Sequence, residues 1–333
     1  MIKFKAVEDS ALPRKGTPLD PQTLNAVYSS PRMKRRYEVW FLRCGLADGS
    51  GAWWFRYLLF KLGRQGCSAD PSAMPVQIWA TWFPRQGKPQ TFIEGFPVEA
   101  LALSPRRQHP FFFRIADCGI EHNDCWGHLH VGGHSIAWKL RYHSNFGAVL
   151  SDRGWIGFCQ SPHSNATFSG EIILDGKSSA GEPLGAGVQG HNCGYRHRTY
   201  WRWLHAYFPT AQSAPSTFEA LVYDMPFGLT FRNAVWWHNA KPTTLRSIQE
   251  LEIVNDSANL RWVLAGSLPD GAPLQITAEA FPPEIHRLPY VKTDCSGTFP
   301  VTNASLAGAQ VLFGQENETL ETATDCVLEM GGS

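Results

Sequence analysis

Apolar and polar residues alternate with a period of two along most of the chain, in short runs separated by Gly, Pro, Asp and Asn. Runs of this kind, rich in Val, Ile, Trp, Tyr and Phe, are typical of β-strands. They occur at 37–42, 51–60, 76–83, 136–142, 199–208, 217–223, 260–265 and 274–281. No segment of 12 or more residues has the period of an amphipathic helix. The pattern predicts an all-β protein of antiparallel meanders that form sandwiches or barrels.

The chain has 333 residues, enough for about two domains that each bury a core. Residues 1–35 are polar and punctuated by proline, and we predict that they form a leader packed on the first domain. The Gly- and Ser-rich stretch at 176–190, GKSSAGEPLGAGVQG, is the best candidate for a domain junction. We therefore predict one domain over 36–188 and a second over 189–333.

Composition excludes several classes of protein. With 43% hydrophobic and 18% charged residues, the chain is not disordered. The formal net charge is only +1, so the chain lacks the excess of positive charge that is typical of proteins that bind nucleic acid or an anionic membrane. The apolar runs are far shorter than the ~18 residues of a transmembrane helix, and the first residues lack the apolar region of a secretory signal. We expect a cytoplasmic protein without a transmembrane segment.

The eight cysteines have no Cys-x-x-Cys pair and no regular spacing. A chain of this size does not need disulfides for stability, so we expect reduced and mostly buried thiols. The phosphate-loop, dinucleotide-binding and nucleophile-elbow motifs are also missing from the sequence. This removes the usual nucleotide-binding, nicotinamide-binding and serine-hydrolase interpretations.

Aromatic residues stand out in number, with 13 Trp, 20 Phe and 9 Tyr. They either fill β cores or line a cavity for an apolar ligand. The densest group lies at 190–208, GHNCGYRHRTYWRWLHAYF. Strand alternation there places Trp201, Trp203, His205 and Tyr207 on one face, with Glu219 opposite His205 across a hairpin. A carboxylate beside an imidazole in an aromatic pocket can handle protons near neutral pH, whereas the alternative is a polar corner whose histidines bond to backbone.

Other residues complete the candidate site. His191 and Asn192 lie between glycines, where polar side chains often serve function, and we expect them to orient a polar group of the ligand. His197 is a further candidate proton donor. Trp54 is predicted to line the cavity, because one ring of the Trp pair at 53–54 points inward. Glu38 is either an inward-facing acid of the ligand site or a solvent-facing residue.

A second polar cluster lies at 121–134, EHNDCWGHLHVGGH. His128 and His130 share a strand face and His134 follows a Gly-Gly turn, which resembles a zinc or iron triad. A well-spaced acidic ligand is missing, and a polar hairpin with alternating histidines explains the pattern as well. We therefore predict no metal site. Cys193 beside the histidine is interpreted as a buried hydrophobe rather than a nucleophile.

Several motifs together resemble the AttH-like proteins. They are YEVWF at 37–41, WFRY at 54–57, GVQGHNCG at 187–194, WxWxH at 201–205, VTNASL at 301–306 and VLE at 327–329. This group is related to carotenoid hydratases (hydroxyneurosporene synthases), tocopherol cyclases and lipocalin-type Diels–Alderases. The resemblance implies two tandem lipocalin-like antiparallel β-barrels that hold an apolar ligand in or between them. It also implies hydration, cyclisation or rearrangement of the ligand without an organic cofactor.

The sequence departs from that group at two positions. Cys193 replaces the tryptophan that usually follows the His-Asn pair, and Gly190 replaces the acid that precedes it in the hydratases. A proton donor must then come from the histidines or from Glu219 or Glu38. We expect a cofactor-independent enzyme acting on a hydrophobic isoprenoid- or polyketide-type substrate, with Glu219 and His205 as the proton-handling pair. The alternative is a lipid or pigment carrier that does not catalyse a reaction.

Overall fold

The computed structural model describes residues 20–29, 36–61, 66–154, 156–195, 200–210 and 214–332. It is almost entirely β, with 67% strand and 4% helix, so the predicted fold class is confirmed. Within the described ranges the α-helical content is one short helix, α1, at Pro21–Asn25. The same ranges contain 3-10 turns at Pro71–Ala73, Val98–Ala100 and Pro226–Gly228.

The first sheet is antiparallel and its strands follow the order β4-β3-β2-β1-β12-β11-β9-β8-β7-β6-β5, with β10 beside β11. The strands are β1 Tyr37–Leu46, β2 Gly51–Phe60, β3 Val76–Pro84, β4 Gln90–Phe96, β5 Ala102–Leu103, β6 Phe112–Ile115, β7 Cys118–Glu121, β8 Asp124–Val131, β9 His134–His143, β10 Ala148–Asp152, β11 Gly157–Leu174 and β12 Lys177–Gly194.

The second sheet is also antiparallel, in the order β16-β15-β14-β13-β22-β21-β19-β18-β17, with β20 beside β21. Its strands are β13 Trp201–Phe208, β14 Ser216–Asp224, β15 Thr230–His238, β16 Lys241–Thr244, β17 Arg246–Asn255, β18 Leu260–Ser267, β19 Pro273–Ala280, β20 His286–Val291, β21 Thr298–Phe313 and β22 Glu318–Gly331. The two sheets form the predicted tandem lipocalin-like arrangement, and one of them is a half-barrel.

Strand alternation sorts the apolar residues into three buried clusters. One fills the first sheet and is dominated by large rings, among them Trp40, Phe55 and Trp138. Another fills the second sheet and is rich in alanine. The third contains Phe41, Trp203 and other residues of both sheets, and so lies where the sheets face each other. Each sheet therefore packs a core of its own and contributes its other face to a shared interface.

The predicted domain junction at 176–190 is wrong as a linker, because these residues belong almost entirely to β12. Strand β12 lies between β1 and β11 in the first sheet, and small residues are required there. At Gly185 and Gly187 a Cβ atom would lie 2.0 and 2.1 Å from main-chain oxygens of β1. The change of sheet falls between Gly194 and Trp201, beyond the predicted boundary at 188.

The described part of the leader packs on the first sheet. The Asn25 amide donates to Gln189 Oε1 at 3.1 Å and accepts from Gln189 Nε2 at 3.0 Å. The indole of Trp40 donates to the Asn25 carbonyl at 3.1 Å. These contacts place residues 20–29 over β1 and β12.

A buried arginine forms hydrogen bonds to both sheets. Arg43 on β1 is fully buried, and its guanidinium donates to the carbonyls of Ser305, Thr324 and Ala186 at 2.7–3.3 Å. It also lies 3.4 Å from an Asp325 carboxylate oxygen. Because every nitrogen of this cation has an acceptor, its burial is compatible with a stable interface.

The expectation that all thiols are reduced is wrong for two cysteines. Cys67, between β2 and β3, forms a disulfide with Cys295, between β20 and β21. The cysteines lie 228 residues apart, and spacing along the chain does not reveal their proximity in the fold. In the described ranges, no helix is both long and apolar enough to cross a membrane.

Candidate functional site

A cavity of about 720 Å³ lies between the two sheets. Its wall combines residues of β1, β2 and β12 in the first sheet with residues of β13, β14 and β22 in the second. A cavity of this size suits a drug-sized organic molecule. Because its wall comes from both sheets, a molecule in this cavity would contact both of them.

Aromatic rings form part of the cavity wall. Phe41, Trp54 and Trp203 contact one another, with ring centroids 5.4–6.0 Å apart. Alternation along β1, β2 and β13 turns these three rings toward the interface and their neighbours toward the sheet cores. The faces of such rings bind apolar groups and stabilise positive charge.

An ion pair lies within this aromatic wall. Arg56 Nη2 is 2.8 Å from Glu329 Oε2, and the side chains are only 14% and 12% exposed. The Arg56 guanidinium packs over the rings of Trp54, Trp79 and Tyr290 at 4.9–5.5 Å and also donates to the Tyr290 hydroxyl. Burial lowers the pKa of Arg56, and Glu329 opposes that shift.

Three side chains donate hydrogen bonds to the carboxylate of Glu329. Besides Arg56, Asn303 Nδ2 donates to Oε2 at 3.2 Å and Trp201 Nε1 donates to Oε1 at 3.3 Å. A carboxylate has about four acceptor positions. Three of them are filled by described residues, and the fourth, on Oε1, is available to a molecule in the cavity.

A second polar group lies on the wall at Tyr223. Its hydroxyl oxygen is 2.9 Å from Ser151 Oγ and accepts a hydrogen bond from Arg153 Nε at 3.0 Å. The Tyr223 ring is 5% exposed and stacks on Phe231, which the Arg153 guanidinium also covers at 5.4 Å. A guanidinium that donates to a phenol oxygen stabilises negative charge on that oxygen.

Two polar atoms in the wall have no partner among the described residues. Trp54 is 4% exposed, and its Nε1 donor is unpaired. Asn192 Oδ1 is a buried acceptor without a donor. Buried polar atoms are rarely left unpaired in proteins. A ligand with complementary groups therefore fits this wall.

The structure brings only some of the predicted residues to the cavity. Trp54, Trp201, Trp203 and Asn192 line it. The five that do not line it are Tyr207, His205, Glu219, His191 and Glu38. His197 lies outside the described residues.

Glu219 lies directly behind the cavity wall. It pairs with His205 in the β13–β14 register, as predicted. Its carboxylate accepts from the hydroxyls of Ser161 and Ser164 at 2.5 and 2.9 Å and from Trp203 Nε1 at 3.0 Å. Burial raises the pKa of Glu219 to about 6, against these three donors. Glu219 therefore fixes the orientation of the Trp203 ring.

His205 is linked to Glu219 through Ser164 rather than by a direct hydrogen bond in the described structure. Its Nε2 donates to the Ser164 carbonyl at 2.6 Å, and its Nδ1 is buried without a partner. Burial lowers the pKa of His205 to about 4. The imidazole is therefore neutral at physiological pH, with Nε2 carrying the proton.

His191 forms a sealed ion pair with Glu38, so Glu38 faces neither the cavity nor solvent. Both side chains are fully buried, 2.9 Å apart. The other ring nitrogen, Nδ1, is 2.6 Å from the Leu24 carbonyl. Each ring nitrogen of His191 therefore lies within hydrogen-bond distance of an oxygen acceptor. The ring stacks on Trp40 and lies edge-on to the cavity residue Phe158, at 4.6 and 4.8 Å.

The structure places both departures from the AttH-like pattern, and packing explains the one at Gly190. Gly190 faces Phe41 across β1 and β12, and a Cβ atom at 190 would lie 2.1 Å from that ring. An acid at 190 is therefore incompatible with the position of Phe41. Cys193 lines the cavity, but burial raises the pKa of its thiol, which disfavours the thiolate of a nucleophile.

The predicted absence of a metal site stays a prediction. His128 and His130 are adjacent on an exposed strand face, with ring centroids 4.3 Å apart. His134 pairs instead with Asp175 at 2.7 Å. No group of three or more His, Cys, Asp or Glu residues suited to a metal ion occurs within the ranges that the structure covers.

Sequence reasoning missed Arg56, Glu329, Arg153 and Tyr223 as site residues. A signal existed for Arg56, because it is the one charged residue in the otherwise apolar strand GAWWFRYLLF. Alternation places it on the same face as Trp54, so a cation was predictable at the interface. The partner Glu329 follows two apolar residues of β22, but no local pattern reveals which side of the interface it faces.

Three solved structures share this architecture. CghA, solved with Sch210972, has 10% identity over 94% of this chain and 96% of its own, with a TM-score of 0.60. Kievitone hydratase from Nectria haematococca has 8% identity over 95% and 96%, with a TM-score of 0.55. An AttH protein from Nitrosomonas europaea has 13% identity over 96% and 98%, with a TM-score of 0.51.

Comparisons based on sequence find no counterpart. No family model matches the chain, and no curated protein matches it. At 8–13% identity the shared architecture extends to fold alone. The chain has the tandem lipocalin-like fold of these three proteins, which is the fold that its sequence motifs implied.

Proposed function

We propose that the protein is a cofactor-independent enzyme that acts on a hydrophobic small molecule of isoprenoid or polyketide type in the cavity between the sheets. The reaction is a cyclisation, an isomerisation, a pericyclic step or a hydration. The observation that carries this proposal is the combination, in one cavity, of an aromatic wall with the Arg56–Glu329 pair and the Tyr223 hydroxyl. A cavity that only held an apolar molecule would not need fixed charges, which are costly to bury.

Each group in the wall has a role that its contacts support. Trp54, Trp201 and Trp203 hold the apolar body of the substrate and stabilise positive charge that develops on it. Asn192 and the Trp54 indole orient a polar group of the substrate. Glu219 acts through Trp203 as a positioning residue.

The structural neighbours support this assignment by analogy. One is named as a hydratase, and another was solved with the small molecule Sch210972. Lipocalin-type barrels also serve as carriers, because fold does not determine function. The experiment must therefore separate turnover from retention.

Native mass spectrometry of the protein from its own host, followed by solvent extraction, identifies any retained molecule. That molecule is then incubated with fresh protein. A new product supports the enzyme, whereas recovery of the unchanged molecule at one equivalent per chain supports a carrier. Leu58→Trp narrows the cavity and should reduce retention, and Leu251→Trp, at an exposed position of β17, is the matched control.

A further inference from the structure

The Tyr223 hydroxyl and the Glu329 carboxylate face the same cavity from one sheet. Leu221 on β14 pairs with Trp203, and Trp203 pairs with Glu329. Tyr223 is two residues along β14 from Leu221, so strand geometry places the Cα atoms of Tyr223 and Glu329 roughly 12 Å apart. Both side chains line the cavity. A molecule of isoprenoid size can contact both at once.

The Tyr223 hydroxyl and the Glu329 carboxylate can take opposite roles in proton transfer. The Tyr223 oxygen accepts from Arg153 Nε at 3.0 Å, so the phenolate that remains after proton loss is stabilised by a cation. Glu329 keeps a free acceptor position on Oε1, while Arg56 and Asn303 hold Oε2. One end of the cavity can therefore give a proton and the other can take one.

We infer that Tyr223, assisted by Arg153, is the proton donor and Glu329 the proton acceptor for a substrate that carries a conjugated carbonyl group. This inference rests on the proposed function and names its substrate class. A carbonyl oxygen is a hydrogen-bond acceptor that can receive the Tyr223 proton. Conjugation carries the effect along the molecule to a C–H bond near Glu329.

The proton balance closes without a further reactant. Tyr223 gives its proton to the carbonyl oxygen, and Glu329 removes a proton from the saturated carbon at the end of the conjugated system. The C–H electron pair forms a new C=C bond, the existing double bonds shift by one position toward the carbonyl carbon, and the C=O π pair takes the proton of Tyr223, which gives a conjugated enol. Return of the proton to a different carbon, with return of the oxygen proton to Tyr223, gives an isomer or a cyclisation-competent polyene. Arg153 is exposed to solvent, so the Tyr223 end can also exchange protons with water.

Two other features of the molecule do not support a proposal. The disulfide between Cys67 and Cys295 ties a loop of each sheet together beside the cavity strand β20, but nothing indicates that it opens. The side chains of Phe227 and Leu229 are exposed and follow the cavity residue Met225 in sequence, but nothing in the structure indicates what covers them.

Deuterium exchange into β-ionone, an isoprenoid conjugated ketone, tests the inference with the full chain. Binding is followed by quenching of the cavity tryptophans, with the hydrocarbon farnesene as a ligand that lacks an acceptor. Uptake of deuterium from D2O at the saturated carbons attached to the far end of the conjugated system is measured by mass spectrometry. The wild-type protein should accelerate this exchange above the rate in buffer.

Substitutions then test the role that each residue has in proton transfer. Tyr223→Phe and Glu329→Gln should each slow the exchange by about 10²–10⁴-fold, with β-ionone affinity changed by less than about threefold for Tyr223→Phe because the ring remains. Arg153→Met should slow it by about 10²-fold, since one charge-stabilising donor is lost. Tyr207→Phe, on β13 and outside the cavity lining, should match wild type.

The outcomes separate the two proposals. Binding of β-ionone without accelerated exchange, or exchange that Tyr223→Phe leaves unchanged, overturns the inference. Binding of farnesene but not β-ionone overturns the carbonyl substrate class and leaves the proposed function standing. If neither molecule binds, the proposed function itself is contradicted.

Discussion

The buried carboxylates Glu38 and Glu329 illustrate two ways in which this protein uses a charge. Glu38 accepts hydrogen bonds from the backbone of Tyr28 and Ser29, at 2.7 and 2.5 Å, and from His191. All its partners belong to the protein, and it joins the leader to β1 and β12. Glu329 is held as firmly but lines a cavity and keeps an acceptor position open. The first arrangement stabilises the fold, whereas the second is available to a ligand.

The same contrast separates Glu219 from Tyr223 on β14. The Glu219 carboxylate is enclosed by two serines and an indole, behind the wall. The Tyr223 hydroxyl, four residues further along the same strand face, lies in the wall itself. Substitutions at the enclosed groups should therefore change stability, and those at the wall should change binding and turnover.

The largest effect on stability is expected for Glu38→Gln. This change removes the carboxylate from a fully buried pair with His191 and from two backbone donors, and should lower the free energy of unfolding by about 3–5 kcal/mol. Denaturant unfolding at pH 7 measures it. Glu182→Gln, at an exposed position, is the control and should stay within about 0.5 kcal/mol of wild type. Equal stability of the two variants would contradict a sealed ion pair.

His205→Gln should reduce the dependence of the free energy of unfolding on pH between about pH 6.5 and 4. The pKa of His205 is lowered from 6.5 to about 4 in the folded state, so the unfolded chain takes up its proton first as pH falls. This residue therefore costs stability progressively between pH 6.5 and 4, by about 3 kcal/mol in total. Unfolding at several pH values measures the slope, which should not change in the exposed control His130→Gln.

Glu219→Gln should have the opposite and smaller effect on the pH profile. The pKa of Glu219 is raised from 4.5 to about 6 by burial, so its stabilising contribution is complete below pH 4.5 and is lost as pH rises through 6. The change amounts to about 2 kcal/mol. The variant should lack this loss between pH 4.5 and 6. A profile that coincides with wild type would mean that Glu219 is not enclosed.

The smallest effect is expected for a pair of indole substitutions. Trp203→Phe removes one of the three donors to Glu219 and should cost about 1 kcal/mol of stability, because the carboxylate keeps its two serine donors. Trp54→Phe removes a donor that has no protein partner. That loss should leave hydrogen bonding in the fold unchanged but weaken binding of β-ionone by about 1 kcal/mol. Unfolding and fluorescence titration of both variants distinguish a sealed indole from one that binds a ligand.

Much of the fold follows from the sequence because period-two alternation is a local signal. The run 51–60 matches β2 residue for residue. The pairing of His205 with Glu219 was predictable because β13 and β14 are consecutive strands of a hairpin. The junction at 176–190 was mistaken because small residues that allow two strands to approach closely look like a linker in a single sequence.

The site was less predictable because its partners are distant in sequence. Arg56 and Glu329 are 273 residues apart and belong to different sheets. Strand alternation assigns each to a face but gives no information on which faces meet. The conspicuous histidine of GVQGHNCG, His191, is fully buried against Glu38 and does not line the cavity. Density of polar and aromatic residues along the chain therefore indicated the neighbourhood of the site, and the interface between the sheets determined its members.

A crystal structure of the protein soaked with β-ionone tests the central claim most directly. The account predicts density between the two sheets, against the rings of Trp54 and Trp203, with the carbonyl oxygen within hydrogen-bond distance of Tyr223. Density inside either sheet's own core, or on the outer surface with the interface cavity empty, would contradict it.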